Sequence, residues 1–249
     1  MTFKDHFSDN AGSYASFRPQ YPPALFDFVA SLPAERRLAW DAGTGNGQAA
    51  VDLGDRFERV IATDASTEQL ARAKPHPRVE YRQARAEASG LAPASVDLVT
   101  VATAVHWFDF EGFYAEVERV LAPGGAIAVW AYFYPTAGAE VQPLLDRLAR
   151  EIVGPYWPPE RTFVNEKYRN LPFPFQEVAA PAFFIENAWD LPRFLAYLQT
   201  WSAYQRYVQA NGADPIDEVR AELEARWGDP RSARELRWEI FVRAGRARL

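Results

Sequence analysis

Between Leu38 and Trp130 the chain alternates short apolar runs with helix-forming stretches. Nothing else in it restricts the fold as tightly. Leu38 to Ala42, Arg59 to Thr63, Val79 to Gln83, Val96 to Ala102 and Ala126 to Trp130 read as strands. Gln48 to Asp55, Thr67 to Lys74 and Phe110 to Leu121 read as helices; Ser66 caps the second, and Pro75 and Pro77 end it. Strands separated by helices of this length fold as βαβ units around a parallel sheet with helices on both faces. Ala126-Ile127-Ala128-Val129-Trp130 is apolar at every position, as a strand covered on both faces must be.

The texture changes after Tyr134. Nine of the 19 prolines fall between Pro135 and Pro192. Tyr156-Trp157-Pro158-Pro159 and Leu171-Pro172-Phe173-Pro174-Phe175 cannot form long regular elements. Strand-like patterns return at Ala182 to Glu186 and Leu236 to Val242, and helical ones at Pro192 to Tyr207 and Ile216 to Trp227. This predicts one α/β domain whose later connections are enlarged into an aromatic-rich cap, with a second small domain packed on the first as the alternative.

Composition narrows the function. The chain has 249 residues and a net charge of −6, against the cationic surface of a general nucleic-acid binder. It has no cysteine, so disulfides, thiolate metal sites and cysteine nucleophiles are out, and no metal is expected. The opening MTFKDHFSDN is not a secretory signal, and the longest apolar stretch, Ala126 to Tyr134, is far too short to span a membrane. The expected location is the cytoplasm. One composition figure calls for explanation: 8 Trp, 11 Tyr and 17 Phe stand against a single Met. Five of the Trp (Trp157, Trp189, Trp201, Trp227, Trp238) lie in the second half, which suggests a cap that encloses a flat or apolar ligand more than core filling.

The sharpest local signal is Asp41-Ala42-Gly43-Thr44-Gly45-Asn46-Gly47, between a strand and a helix. Glycine there permits positive φ and close approach of a ligand, and the helix N-terminus behind it offers unpaired N–H groups. A dinucleotide fingerprint needs glycine at the sixth loop position, where this chain has Gln48, and a Walker loop is absent. Asp64 ends the next strand, 21 residues after Gly43, where an acid reaches the diol of a ribose.

These motifs together resemble the class I S-adenosylmethionine-dependent methyltransferases. The resemblance runs from Leu38 to Trp130. It rests on Asp41 to Gly47, Asp64, Ala86-Glu87, Asp97-Leu98-Val99 and Leu121-Ala122-Pro123-Gly124-Gly125, in that order. Outside that stretch, Tyr14, Phe17 to Pro22, His106-Trp107-Phe108-Asp109 and Thr200-Trp201-Ser202 are similar to a type 11 subgroup that includes trans-aconitate and cantharidin-type small-molecule methyltransferases. The resemblance implies a Rossmann-like, seven-stranded, mostly parallel sheet with one antiparallel strand. Residues 1–135 would form an N-terminal lid segment and the cofactor-binding core; residues 136–249 would form the substrate cap and the remaining strands and helices of the same domain.

It also implies S-adenosylmethionine as cofactor and S-adenosylhomocysteine as product. Asp41, Gly43, Thr44, Gly45 and Gly47 would take the amino-acid tail, Asp64 and Ala65 the ribose, and Ala86 and Glu87 the adenine. Many members carry an acid where this chain has Arg85, so contact to the adenine amino group falls to the backbone or to Glu87. The methyl group would face Ala102, Thr103 and His106. Tyr14 and Arg18 would fold over the cofactor, Arg18 meeting its carboxylate or an acidic acceptor. The expected acceptor is a small molecule methylated on a carboxylate or hydroxyl oxygen. Its pocket would use His106, Trp107, Trp157, Tyr168, Trp201 and Tyr204, with Trp201 and Tyr204 three apart on one helix face.

A carboxylate acceptor needs no base, whereas a hydroxyl or amine wants one. His106 is the one candidate catalytic group, with a structural cap as its other role, and Asp109 is expected to cap the helix that follows. Rival functions are an NAD(P)-dependent oxidoreductase of Rossmann type and a SAM-binding regulator without turnover. The expected assembly is a monomer or homodimer.

Overall fold

A computed structural model of the chain describes residues 18–247. Helix α1 (Pro23–Ala30) opens on a proline, which fits the first turn because no N–H partner is required there. The glycine-loop half then runs β1 (Leu38–Ala42), α2 (Gln48–Gly54), β2 (Arg59–Asp64), α3 (Thr67–Leu70), β3 (Val79–Gln83), β4 (Val96–Ala102), α4 (Phe110–Val120) and β5 (Leu121–Tyr132). The cap half runs α5 (Gly138–Arg147), α6 (Arg161–Asn165), β6 (Gln176–Val178), β7 (Phe183–Trp189), α7 (Leu191–Gln199), α8 (Ser202–Asn211), α9 (Arg220–Trp227) and β8 (Arg234–Arg246).

The sheet order is β3-β2-β1-β4-β5-β8-β6, with β7 also on β8. Strands β1 to β5 pair in parallel. β8 runs against β5, Tyr132 opposite Ile240 and Ala126 opposite Arg246. β6 and β7 follow each other along the far side of β8, Gln176 opposite Arg246 and Phe183 opposite Ile240. Eight strands thus fill seven positions, and β8 is the reversed one, in agreement with the expected architecture.

Side chains that alternate along the strands separate two cores, as the pleat requires. Ala39, Val60, Leu98, Ala126 and Ala128 face α1, α2 and most of the cap. Trp40, Ile61, Val99, Ile127 and Val129 face α4 and the 164–175 segment.

Several predicted elements change at their ends. The helix from Thr67 stops at Leu70, because Arg72 and Ala73 bond three residues back and the Lys74 N–H goes to Asn46 O at 3.1 Å in the glycine loop. The stretch from Pro192 to Tyr207 is two helices, α7 and α8, broken at Thr200-Trp201. Thr200 Oγ1 donates back to Tyr197 O at 2.6 Å and Arg18 Nη2 donates to Thr200 O at 3.3 Å, so that carbonyl points out of the helix. Trp201 therefore stands at the N-cap of α8 in extended conformation, and the shared helix face with Tyr204 does not exist. Ile216 to Trp227 likewise divides into a 3-10 turn (Pro215–Glu218) and α9. Asp109 occupies the N-cap of α4 but makes no side-chain cap; Glu87 Oε1 instead accepts the Asp109 N–H at 3.1 Å.

The aromatic surplus is also reassigned. Trp189, Trp227 and Trp238 are buried in the core, where Trp189 and Trp238 lie 4.9 Å apart and Trp238 donates to Tyr197 Oη. Only part of the surplus reaches a cavity.

Candidate functional site

The glycine loop leaves the carboxyl end of β1, where open α/β sheets bind ligands. Gly43, Gly45 and Gly47 all have positive φ. At Gly47 a Cβ would fall 2.1 Å from the Tyr81 hydroxyl, and at Gly43 it would fall 2.8 Å from Ala104 Cβ, so neither position admits a side chain. Thr44 N donates to Thr63 O, and Gly45 N donates to Asp64 Oδ2 at 2.8 Å. Asp64 Oδ1 accepts the Ser66 N–H at 2.9 Å. The loop and the strand-end acid are thus one hydrogen-bonded unit. Ala65 lies beside it, its carbonyl accepting from Gln83 Nε2.

Behind the loop, Asp41 is fully buried and accepts from Thr44 Oγ1 at 2.6 Å and Thr100 Oγ1 at 2.8 Å. Burial dominates and pushes its pKa up to about 6 despite those two donors. An ionised carboxylate held in that position calls for a cationic partner. Ala86 is buried beyond β3, and half-buried Glu87 pairs with Arg85 at 3.1 Å while receiving the Asp109 N–H.

The ends of β4 and β5 form a cavity of about 60 Å³. Thr103, His106 and Trp107 line it from β4, Tyr132 to Tyr134 from β5, and Trp157, Arg161, Tyr197 and Trp201 from the cap. Arg18 reaches it from the N-terminal side; its Nη1 donates to Tyr132 Oη at 3.1 Å. Thr103 has φ +58, an outlier for a β-branched residue. It is fixed there by its N–H to Trp130 O at 2.7 Å and its hydroxyl on Tyr21 Oη at 3.0 Å. Strain of this kind gathers at functional sites.

His106 is buried, with Nδ1 2.8 Å from Tyr168 Oη. Burial first, then the Arg161 guanidinium, pushes its pKa down to about 3, so the imidazole is neutral throughout the physiological range. Tyr168 is itself fully buried, follows Lys167 in left-handed conformation and packs on Phe241 at 5.1 Å. A neutral imidazole with one nitrogen committed to a phenol orients a ligand well and takes up a proton poorly.

Of the predicted pocket residues, Trp107, Trp157, Trp201 and His106 meet at the cavity, and Tyr168 stands behind His106. Tyr204 is buried elsewhere, beside Asp214. Tyr14 lies outside the described residues. The sequence reading missed Arg161, Tyr132, Phe133, Tyr134 and Tyr197. Arg161 carried one legible signal, a cation two residues after the Trp157-Pro158-Pro159 run. Among the described residues no group of three or more His, Asp or Glu could hold a metal ion. No helix there is long and apolar enough to cross a membrane.

Comparison with known proteins agrees with this geometry. Residues 40–129 match a family described as a methyltransferase domain. A Dictyostelium discoideum protein named as a methyltransferase is 33% identical over 225 residues, covering 89% of this chain and 86% of its own length. A solved structure from Anaeromyxobacter dehalogenans, described as a type II methyltransferase, is 44% identical with a TM-score of 0.88, over 93% of this chain and 98% of that one. A Saccharomyces cerevisiae protein named as an S-adenosylmethionine-dependent methyltransferase is 30% identical over 131 residues, 49% of this chain and 45% of its own. The glycine loop, the strand-end acid and the sheet order define a class I methyltransferase fold. The chain belongs to the S-adenosylmethionine-dependent methyltransferases, in the type 11 group.

Proposed function

We propose that this methyltransferase acts on a small-molecule acceptor, at a carboxylate or hydroxyl oxygen. The observation that carries this reading is the small cavity at the ends of β4 and β5, walled by cap aromatics. Two features favour oxygen in an acceptor that needs little help from a base. His106 is held neutral by burial, and among the described residues no Asp or Glu lines the cavity.

The cofactor supplies a methyl group on a sulfonium sulfur, displaced in line with the electron pair leaving to sulfur. Gly43, Thr44, Gly45 and Gly47 would hold its amino-acid tail, with Asp41 opposite the tail's ammonium. Asp64, with Ala65, would take the ribose hydroxyls, its orientation set by the Gly45 and Ser66 N–H groups. Ala86 and Glu87 would border the adenine. Ala102, Thr103 and His106 would face the methyl group, His106 orienting the acceptor through the nitrogen that Tyr168 leaves available. The cap excludes water and aligns the acceptor, which is most of what an in-line displacement on carbon asks of a protein. Tyr14 and Arg18 would close the N-terminal side. We assign no nucleic-acid or membrane partner and place the protein in the cytoplasm as a monomer or homodimer.

The test is a coupled assay for S-adenosylhomocysteine release over small carboxylic acids, phenols and amines, beside calorimetric titration of S-adenosylmethionine and NADH. Binding of S-adenosylmethionine with turnover on an oxygen acid is the expected result. Turnover confined to amines would refute the oxygen assignment. Binding without turnover on any acceptor would leave a non-catalytic regulator.

A further inference from the structure

Arg161 opens α6 and lines the cavity with its guanidinium against two rings, its Cζ 4.2 Å from the Trp157 centroid and 5.0 Å from that of Phe133. Its Nε is buried and has no hydrogen-bond partner, and among the described residues no carboxylate lies within ion-pair distance. Burial pushes its pKa down to about 10, and the nearby charge of Arg18 acts in the same direction. Among the described residues seven ion pairs engage arginines of the cap half, so acidic partners are not scarce on this side of the molecule.

A desolvated guanidinium without a counter-charge is expensive in a folded protein. Stacking on two rings offsets part of that cost. It also restrains the group, which lines the cavity. A planar fork of donors suits a carboxylate, which can accept two parallel bonds. The wall holds a second guanidinium, that of Arg18, and no Asp or Glu.

We propose that Arg161 is a specificity-determining residue that binds a carboxylate carried by the acceptor, whose apolar body lies against Trp157, Phe133 and Trp201. The proposal rests on the small-acceptor reading above and adds the charge of the acceptor to it. An uncharged isostere leaves the same guanidinium unsatisfied, which is the strongest form of discrimination a buried site offers.

The experiment uses the full chain, with and without S-adenosylhomocysteine. Thermal midpoints are measured with benzoate, phenylacetate and succinate, with the matching amides, and with phenyl phosphate. At least one carboxylate should raise the midpoint of the wild type, its amide should not, Arg161→Met should abolish the effect and Arg161→Lys should keep part of it. Without ligand, Arg161→Met should unfold at the same temperature or higher, because it removes an uncompensated buried charge; a purely structural arginine would give a lower midpoint. Calorimetric affinity for S-adenosylmethionine should be unchanged in Arg161→Met, whereas KM for a carboxylate acceptor should rise roughly 10- to 150-fold.

The proposal fails if no carboxylate stabilises the wild type, if only phenyl phosphate does, or if Arg161→Met responds as the wild type does. It also fails if Arg161→Met loses cofactor affinity, since the anion held would then be the cofactor's own carboxylate. A wild type that binds carboxylates through Arg161 but never binds S-adenosylmethionine would strike the methyl-transfer reading and leave this one standing.

Discussion

Two aspartates are proposed to hold the cofactor, and each makes a separate prediction. Asp64 ties the glycine loop to the end of β2 through the Gly45 and Ser66 N–H groups. Hydrogen bonds to a charged group are worth about 1.5–3 kcal/mol. Asp64→Ala should therefore weaken S-adenosylmethionine roughly 10- to 150-fold by calorimetry. Asp64→Asn keeps one carbonyl acceptor for the loop and should lose less; equal affinity in all three proteins would refute the ribose assignment. Asp41 responds to pH. Its folded pKa, about 6, lies above the unfolded value near 3.8, so between these limits the native state binds more protons than the unfolded one. This group's contribution to apoprotein stability thus rises as pH falls from 7 towards 4. Above 7 its ionised form costs on the order of 1–3 kcal/mol. Asp41→Asn should raise the apoprotein's thermal midpoint at pH 8 and not at pH 4.5. If Asp41 meets the ammonium of the cofactor, wild-type affinity should also fall as pH drops through about 6, and Asp41→Asn should be weak and pH-independent. A wild-type affinity that is flat from pH 8 to pH 5 would remove Asp41 from the site.

At the scale of elements, the sequence was most legible where local chemistry and the sheet agree. β1, β2, β3 and the loop between β1 and α2 lie where their apolar runs and glycines put them. Elements were misread where a distant partner decides. The helix from Thr67 ends early because the Lys74 N–H is taken by Asn46, and α7 ends at Thr200 because Arg18, 182 residues away in sequence, takes that carbonyl. No periodicity announces either. Asp109 holds the N-cap position without capping, and its own N–H is tied to Glu87 of another turn. The His106–Tyr168 pair spans 62 residues and depends on two consecutive left-handed residues, Lys167 and Tyr168, that nothing in their side chains favours. Tyr168→Phe would leave a buried imidazole nitrogen without its partner, a loss of about 1–3 kcal/mol. That should lower the thermal midpoint by several degrees in a chain of this size. An unchanged midpoint would mean that the bond contributes nothing to holding the 164–175 segment.

For the whole molecule, β8 joins the glycine-loop half to the cap half. One side of it pairs with β5 over Ala126 to Tyr132, and the other carries β6 and β7. Trp130, Ile127 and Val129 on β5 are fully buried, yet β5 would be an open edge without β8. An exposed apolar edge strand invites pairing with other chains. We therefore propose that a division at residue 135 separates two sets of residues in sequence but not two folding units; the cavity at the ends of β4 and β5 takes its walls from both. Residues 1–135 expressed alone should be insoluble or unfolded by circular dichroism. The full chain should unfold in one cooperative transition, with far-ultraviolet and near-ultraviolet signals sharing a midpoint. If the two halves unfold as one unit, saturating S-adenosylhomocysteine should move both signals together, by RT ln(1 + [L]/Kd), or about 2.7 kcal/mol at a hundredfold excess over Kd. Two separated transitions, only one of them shifted by the ligand, would show instead that the cap is an independent domain laid over a self-sufficient core.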